Sequence, residues 1–143
     1  MANESIWTVP PKLDALQKFT IGTMVEHLDI RFEEVTPNSL IASMPVDHRT
    51  VQPYGIIHGG ATATLAETIG SLASQLVIAD PEQGKVVGIE LNINHLRQAT
   101  KGRVYGETTP VRIGRRIHVW QIDICDEQGK LVSRARLTVM VIS

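Results

Sequence analysis

The stretch Gln52-Pro53-Tyr54-Gly55-Ile56-Ile57-His58-Gly59-Gly60 brings an amide, an imidazole and a glycine pair to the start of a long proline-free segment. If that segment is helical, its first N–H groups lack internal acceptors and carry the positive end of the helix dipole. An oxygen gaining negative charge is stabilised there, and a glycine lets a ligand approach the backbone closely. The Gly59 N–H could thus polarise an acyl carbonyl and hold the oxyanion formed on attack, with Gln52 and His58 positioning it. Glu67 follows nine residues after His58, about two and a half turns into the helix, and Ser71 lies one turn further on the same side. A partly buried carboxylate there could act as base or nucleophile, with Ser71 orienting it or an attacking water. The plainer alternatives are that Gly59-Gly60 only permits a tight entry into a helix capped by His58, and that Glu67 is a solvated surface acid. Against the second, Glu67 is the only Asp, Glu, Lys or Arg between Arg49 and Asp80.

Other chemistries find less support. The five histidines, His27, His48, His58, His95 and His118, show no metal-ligand spacing, and neither CxxC nor HExxH occurs, so no metal and no cofactor is expected. A G-x-S-x-G elbow and a phosphate-binding G-x-x-x-x-G-K-[ST] loop are also missing. Fourteen Lys plus Arg against fifteen Asp plus Glu leave a net charge of -1, which gives no global field for nucleic acid or an anionic bilayer. Local basic residues remain, Arg97, Lys101 and Arg103 around one turn and Arg112, Arg115 and Arg116 around Gly114. They could meet phosphates or simply form a solvated rim. The single cysteine, Cys125, reads as a packed thiol, and no secretory signal or membrane-length apolar run is found, so a cytoplasmic location is expected.

These residues need elements to position them. A chain of 143 residues, 43% hydrophobic and 20% charged, suits one globular domain over 1–143. After Pro10-Pro11, the spacing of Leu13, Leu16 and Phe19 predicts a short amphipathic helix. Alternation over Leu28, Ile30 and Phe32 and again over Leu40, Ala42, Met44 and Val46 predicts a hairpin turning at Pro37-Asn38-Ser39. A loop over Asp47 to Ile57 leads into one long helix from His58 to about Ala79. Leu65, Ile69, Leu72 and Leu76 form its apolar stripe; Thr64, Glu67, Ser71, Ser74 and Gln75 lie on another side. Four strands follow, over Lys85 to Arg97, Gly102 to Ile113, Arg116 to Cys125 and Leu131 to Ile142. The order β-β-α-β-β-β-β argues for an α+β domain, an antiparallel sheet of about six strands wrapped around one long helix. One helix cannot hide both faces of such a sheet, so oligomerisation is expected.

The segments MPVDHRTVQPYGIIHGGATATLAETIGSLA, VVGIELNINHLR and VWQIDI resemble the hot-dog-fold acyl-CoA thioesterases of the phenylacetate-pathway and 4-hydroxybenzoyl-CoA type. Within that family they look most like the branches acting on 1,4-dihydroxy-2-naphthoyl-CoA and proofreading enterobactin synthesis. The resemblance, from about Leu13 to the end, implies an aroyl-CoA or acyl-carrier thioester as substrate, with CoA as part of the substrate. It also implies a tetramer built as a dimer of dimers, with active sites at subunit interfaces. Glu67 falls on the family's catalytic carboxylate, and Gln52, His58, Gly59 and Ser71 on positions that orient the thioester or assist water. Gly88, His95, Leu96, Arg97, Gln98, Arg112, Gly114, Arg115 and Arg116 fall on positions lining the CoA channel. Tyr54, where relatives often have phenylalanine, and Thr62-Ala63-Thr64 depart from the pattern and bear on acyl specificity. Two rivals stay open: a hydratase or dehydratase of the same fold, and a non-catalytic acyl-CoA binding module.

Overall fold

A computed structural model describes residues 4–142; Met1 to Asn3 and Ser143, the ends of the span expected as one domain, lie outside the described residues. The elements are α1 (Leu13–Phe19), α2 (Met24–His27), β1 (Arg31–Thr36), β2 (Ser39–Pro45), α3 (Gly59–Val77), β3 (Lys85–His95), β4 (Arg103–Ile113), β5 (Ile117–Cys125) and β6 (Leu131–Ile142). The strands form one antiparallel sheet in the order β1-β2-β4-β5-β6-β3, so β1 and β3 are its edges. α3 packs against β2 through β6.

The face that α3 turns to the sheet is built of small residues between larger ones: Thr62, Leu65, Ala66, Ile69, Gly70, Ala73, Ser74 and Val77 are buried. At Gly70 a Cβ would stand 2.5 Å from Leu137 Cδ2, so the helix could not lie this close to β6 with any side chain there. Opposite it, Trp120, Ile122, Ile124, Val132, Ala135, Leu137 and Val139 supply the strand side of one core. The expected stripe is thus rotated. Leu72 and Leu76 are only half-buried, under the N-terminal segment, whereas Ser74 lies in the core rather than beside Glu67.

Ser74 is admitted because its hydroxyl is fully used. Trp120 Nε1 donates to Ser74 Oγ at 2.6 Å, and Ser74 Oγ stands 3.0 Å from His118 Nδ1. Indole N–H only donates, so Ser74 accepts from it, and the same hydroxyl shares a second hydrogen bond with His118 Nδ1 whose direction is set by the imidazole tautomer. Burial holds His118 below the usual histidine pKa, against an opposing pull from a hydrogen bond to the Gly114 backbone.

The N-terminal third departs from expectation. Leu28 and Ile30 are not in a strand: Thr23 caps the one-turn α2 and Asp29 adopts φ 54, so β1 begins only at Arg31. Arg103 fixes that left-handed residue by donating to Asp29 Oδ2 at 3.0 Å and to its carbonyl at 2.6 Å. In α1, Leu16 is buried but Phe19 is 74% exposed, so the helix uses only part of its apolar spacing. Ahead of α1, Thr8 and Val9 donate backbone N–H groups to the Leu76 carbonyl, and Thr8 Oγ1 donates to that of Val77. They satisfy carbonyls that the end of α3 leaves open.

His118 generates a pH prediction. An unfolded histidine binds its proton near 6.5, whereas folded His118 does so only at lower pH. Its contribution to stability is therefore full above 6.5, shrinks as the pH falls below that, and levels off once the folded-state value is passed. Urea midpoints measured from pH 7.5 downward should fall, and His118→Gln should flatten that dependence.

Candidate active site

The loop between β2 and α3 is held at both ends. Thr50 Oγ1 donates to the Pro45 carbonyl at 2.7 Å and accepts from Asp47 N, and Arg49 grips Asp47 at 2.6 Å, a contact that lowers the Asp47 pKa to about 2. Val51 bridges to Ile57, Ile57 N donates to the Ala99 carbonyl and His58 N to that of Thr50, both at 2.8 Å. This bracing delivers His58 to the N-cap position of α3, where its Nδ1 accepts from Gly60 N–H at 2.7 Å. His58 is therefore a cap. The neighbouring Gly59 N–H has no acceptor among the described residues and stays open.

Gln52, Gly59, His95, Leu96, Arg97 and Gln98 are brought together around a cavity of about 410 Å³. Tyr54 N–H donates to Gln52 Oε1, which leaves the Gln52 NH₂ as the free donor. His95 stands over the helix start: a Cβ on Gly59 would fall 2.7 Å from its Nε2. Its Nδ1 lies 3.2 Å from Ser133 Oγ and 3.4 Å from Thr62 Oγ1, which itself donates to the Gly59 carbonyl. Sequence reasoning missed Ser133 and Thr62 as supports. The signal for Ser133 was a polar residue in phase with the buried positions Ala135, Leu137 and Val139 of β6.

Glu67 is elsewhere. It is half-buried on α3, Ser71 Oγ donates to its Oε2 at 3.2 Å, and its carboxylate rests on Gly88 of β3. Glu67 is eight residues beyond Gly59 on one helix, so the acid and the open amide stand about 12 Å apart along its axis. Gly88 does not line the Gly59 cavity. The exposed Arg112, Arg115 and Arg116 are remote as well: Gly114 and Arg115 adjoin Val77, Ile78 and Asp80 at the C-terminal end of α3. One chain thus divides the candidate residues among three places. Among the described residues no group of three His, Cys, Asp or Glu could hold a metal.

Residues 54–133 match the model of the thioesterase superfamily. The chain belongs to that family. This thioesterase is 50% identical to the 1,4-dihydroxy-2-naphthoyl-CoA hydrolase of Escherichia coli, over 96% of this chain and 99% of the relative. It is 43% identical to the proofreading thioesterase EntH of Cronobacter sakazakii, over 96% and 98%. A crystal structure of a thioesterase from Haemophilus influenzae superposes with a TM-score of 0.93 at 44% identity, over 96% of this chain and 95% of that one. The sheet and its long helix are the hot-dog fold, and the chain is a thioester hydrolase. No helix is long and apolar enough to cross a membrane among the described residues.

Capping and catalysis at His58 can be separated. His58→Ala removes the acceptor for Gly60 N–H and should cost about 1 kcal/mol of stability. Asparagine caps as well, so His58→Asn should recover the urea midpoint but not the rate of thioester hydrolysis. Recovery of both would leave His58 a cap alone.

Proposed function

We propose that the protein hydrolyses aroyl-CoA thioesters, 1,4-dihydroxy-2-naphthoyl-CoA being the member of that class its relative's name indicates, in a site composed from two copies of the chain. The observation that carries this reading is the open Gly59 N–H at the mouth of a cavity, paired with an acid on the same helix too distant to serve it. β3 is a sheet edge with exposed Val87 and Ile89, and an edge strand pairs readily with its own copy about a two-fold axis. Such pairing runs the two α3 helices antiparallel, so that the N-terminus of one approaches the middle of the other.

In that arrangement Gly59 N–H and the Gln52 amide of one protomer hold the thioester carbonyl, and Glu67 of the other faces its carbon. Glu67 takes a proton from water as the water oxygen attacks, and the carbonyl oxygen becomes an oxyanion on Gly59 N–H. Collapse breaks the C–S bond, and the departing CoA thiolate receives the proton from Glu67. Direct attack by Glu67, through a mixed anhydride that water then cleaves, uses the same contacts. The step is assigned to this chain's own groups without metal or cofactor. Arg112, Arg115 and Arg116, exposed around Gly114 toward the far end of α3, are the cations offered to CoA phosphates across the dimer. An apolar hollow of about 430 Å³ formed by Pro10, Pro11, Leu16, Phe19, Leu72 and Leu76 lies between the N-terminal segment and α3 and suits an aromatic acyl group. The assembly is read as a tetramer of two such dimers, acting in the cytoplasm where CoA thioesters form.

Free thiol released from benzoyl-CoA is the measurement. Glu67→Gln should lower kcat by about 10²–10⁴-fold with an unchanged melting temperature; a wild-type rate would remove Glu67 from the mechanism. EDTA should leave the wild-type rate unchanged. Gln52→Ala and Glu67→Ala, each impaired alone, should regain roughly a quarter of wild-type activity on co-expression, because a mixed dimer holds one intact site. A site confined to one chain would show no recovery. Running an aryl-carrier thioester beside benzoyl-CoA separates carrier from CoA preference, and enoyl-CoA hydration without thiol release would favour a hydratase.

A further inference from the structure

Gly88 is one of the two places where a Cβ would collide most severely with an existing atom: it would lie 2.0 Å from Glu67 Oε2 and 3.0 Å from its Cδ. The backbone at Gly88 does not explain the glycine. Among the described residues the positive-φ glycines are Gly22, Gly55, Gly102 and Gly129, and Gly88 is not one of them. Only the missing side chain distinguishes it.

The neighbouring bulge explains how this position comes to face the helix. On β6 the buried residues Val139, Leu137, Ala135 and Ser133 alternate regularly, and they oppose Gly88, Leu91, Ile93 and His95. The β3 series skips one extra residue after Gly88, where the register shifts between Gly88 and Glu90. Gly88 and His95 are seven apart, an odd separation that an unbroken strand would place on opposite faces. With Ile89 as the inserted residue both face α3, Gly88 beneath Glu67 and His95 over Gly59.

We propose that Gly88 is a positioning residue: by carrying no side chain it seats the Glu67 carboxylate against β3, and the bulge at Ile89 turns that seat and His95 to the same face. This rests on the assignment of Glu67 as the acting carboxylate. Among the described residues Ser71 Oγ is the side-chain group that donates to the Glu67 carboxylate, and Gly88 supplies the surface behind it. That contact gives Gly88 a role distinct from lining the CoA channel, since a channel wall acts on substrate binding and a seat acts on turnover.

The test compares Gly88→Ala with wild type in the full chain. With benzoyl-CoA, kcat should fall at least about tenfold while KM stays within about twofold. A raised KM with unchanged kcat would overturn the proposal. Independently of any substrate, the ¹³C carboxyl resonance of Glu67, assigned by its loss in Glu67→Gln, should shift in Gly88→Ala; an unmoved resonance would also overturn it. That spectrum reads the seat even if Glu67→Gln hydrolyses at the wild-type rate, a result that would sink the functional reading instead. If Gly88→Ala does not fold, Gly88→Ala combined with Glu67→Ala decides: restored folding supports the contact, and continued failure overturns it.

Discussion

An α-helix fixes the separation of the groups it carries, and that constraint governs everything α3 can do. Gly59 and Glu67 are eight residues apart, so about 12 Å of rise lies between the open amide and the acid. No rotamer of Glu67 spans that distance. The chain can therefore present either group to a ligand but not both to one atom; in the proposed reading a second copy joins them, attached along the edge strand beside the acid.

The sheet keeps both groups in place. Small residues on one face of α3 let it lie close to β6, and Trp120 and His118 spend their polar atoms on Ser74 inside that contact. β3 meets α3 along its length, so the acid's support and the ring over Gly59 both come from one strand. A regular strand could not supply both, because their separation is odd. The bulge resolves the conflict between the period of the strand and the spacing of the site, at the cost of a ladder irregularity on an edge where few bonds depend on it.

The sequence made the strands legible where alternation was clean, as in β2, β5 and β6, and α3 where nineteen residues ran without proline. It misled at Leu28 and Ile30, whose alternation is real but belongs to a turn made by α2 and Asp29. A single helical turn has too few residues to show a period, and its decisive stabiliser, Arg103, is distant in sequence. Ser74 was misplaced because serine usually lies outside, and only Trp120 and His118 make it admissible within. Gln52, His58, Gly59, Glu67 and Ser71 stood out as residue types; their division between two places on one chain did not. Strand order and bulges depend on pairing between strands, which a pattern along one strand does not record.

That division has a chemical consequence. A glutamate three residues into a helix can fold back onto the cap position, as in a capping box, and would then occupy the N-terminal amides itself. The influence of the helix N-terminus also fades within its first turn, so an acid beyond it is not neutralised by its own dipole. Glu67 lies outside both ranges. His58, meanwhile, takes the Gly60 N–H and not that of Gly59. The chain thus caps its helix with an imidazole nitrogen and not a carboxylate, leaves the Gly59 amide without an acceptor among the described residues, and keeps its acid where it cannot reach that amide. A substrate oxygen entering the Gly59 cavity displaces no carboxylate.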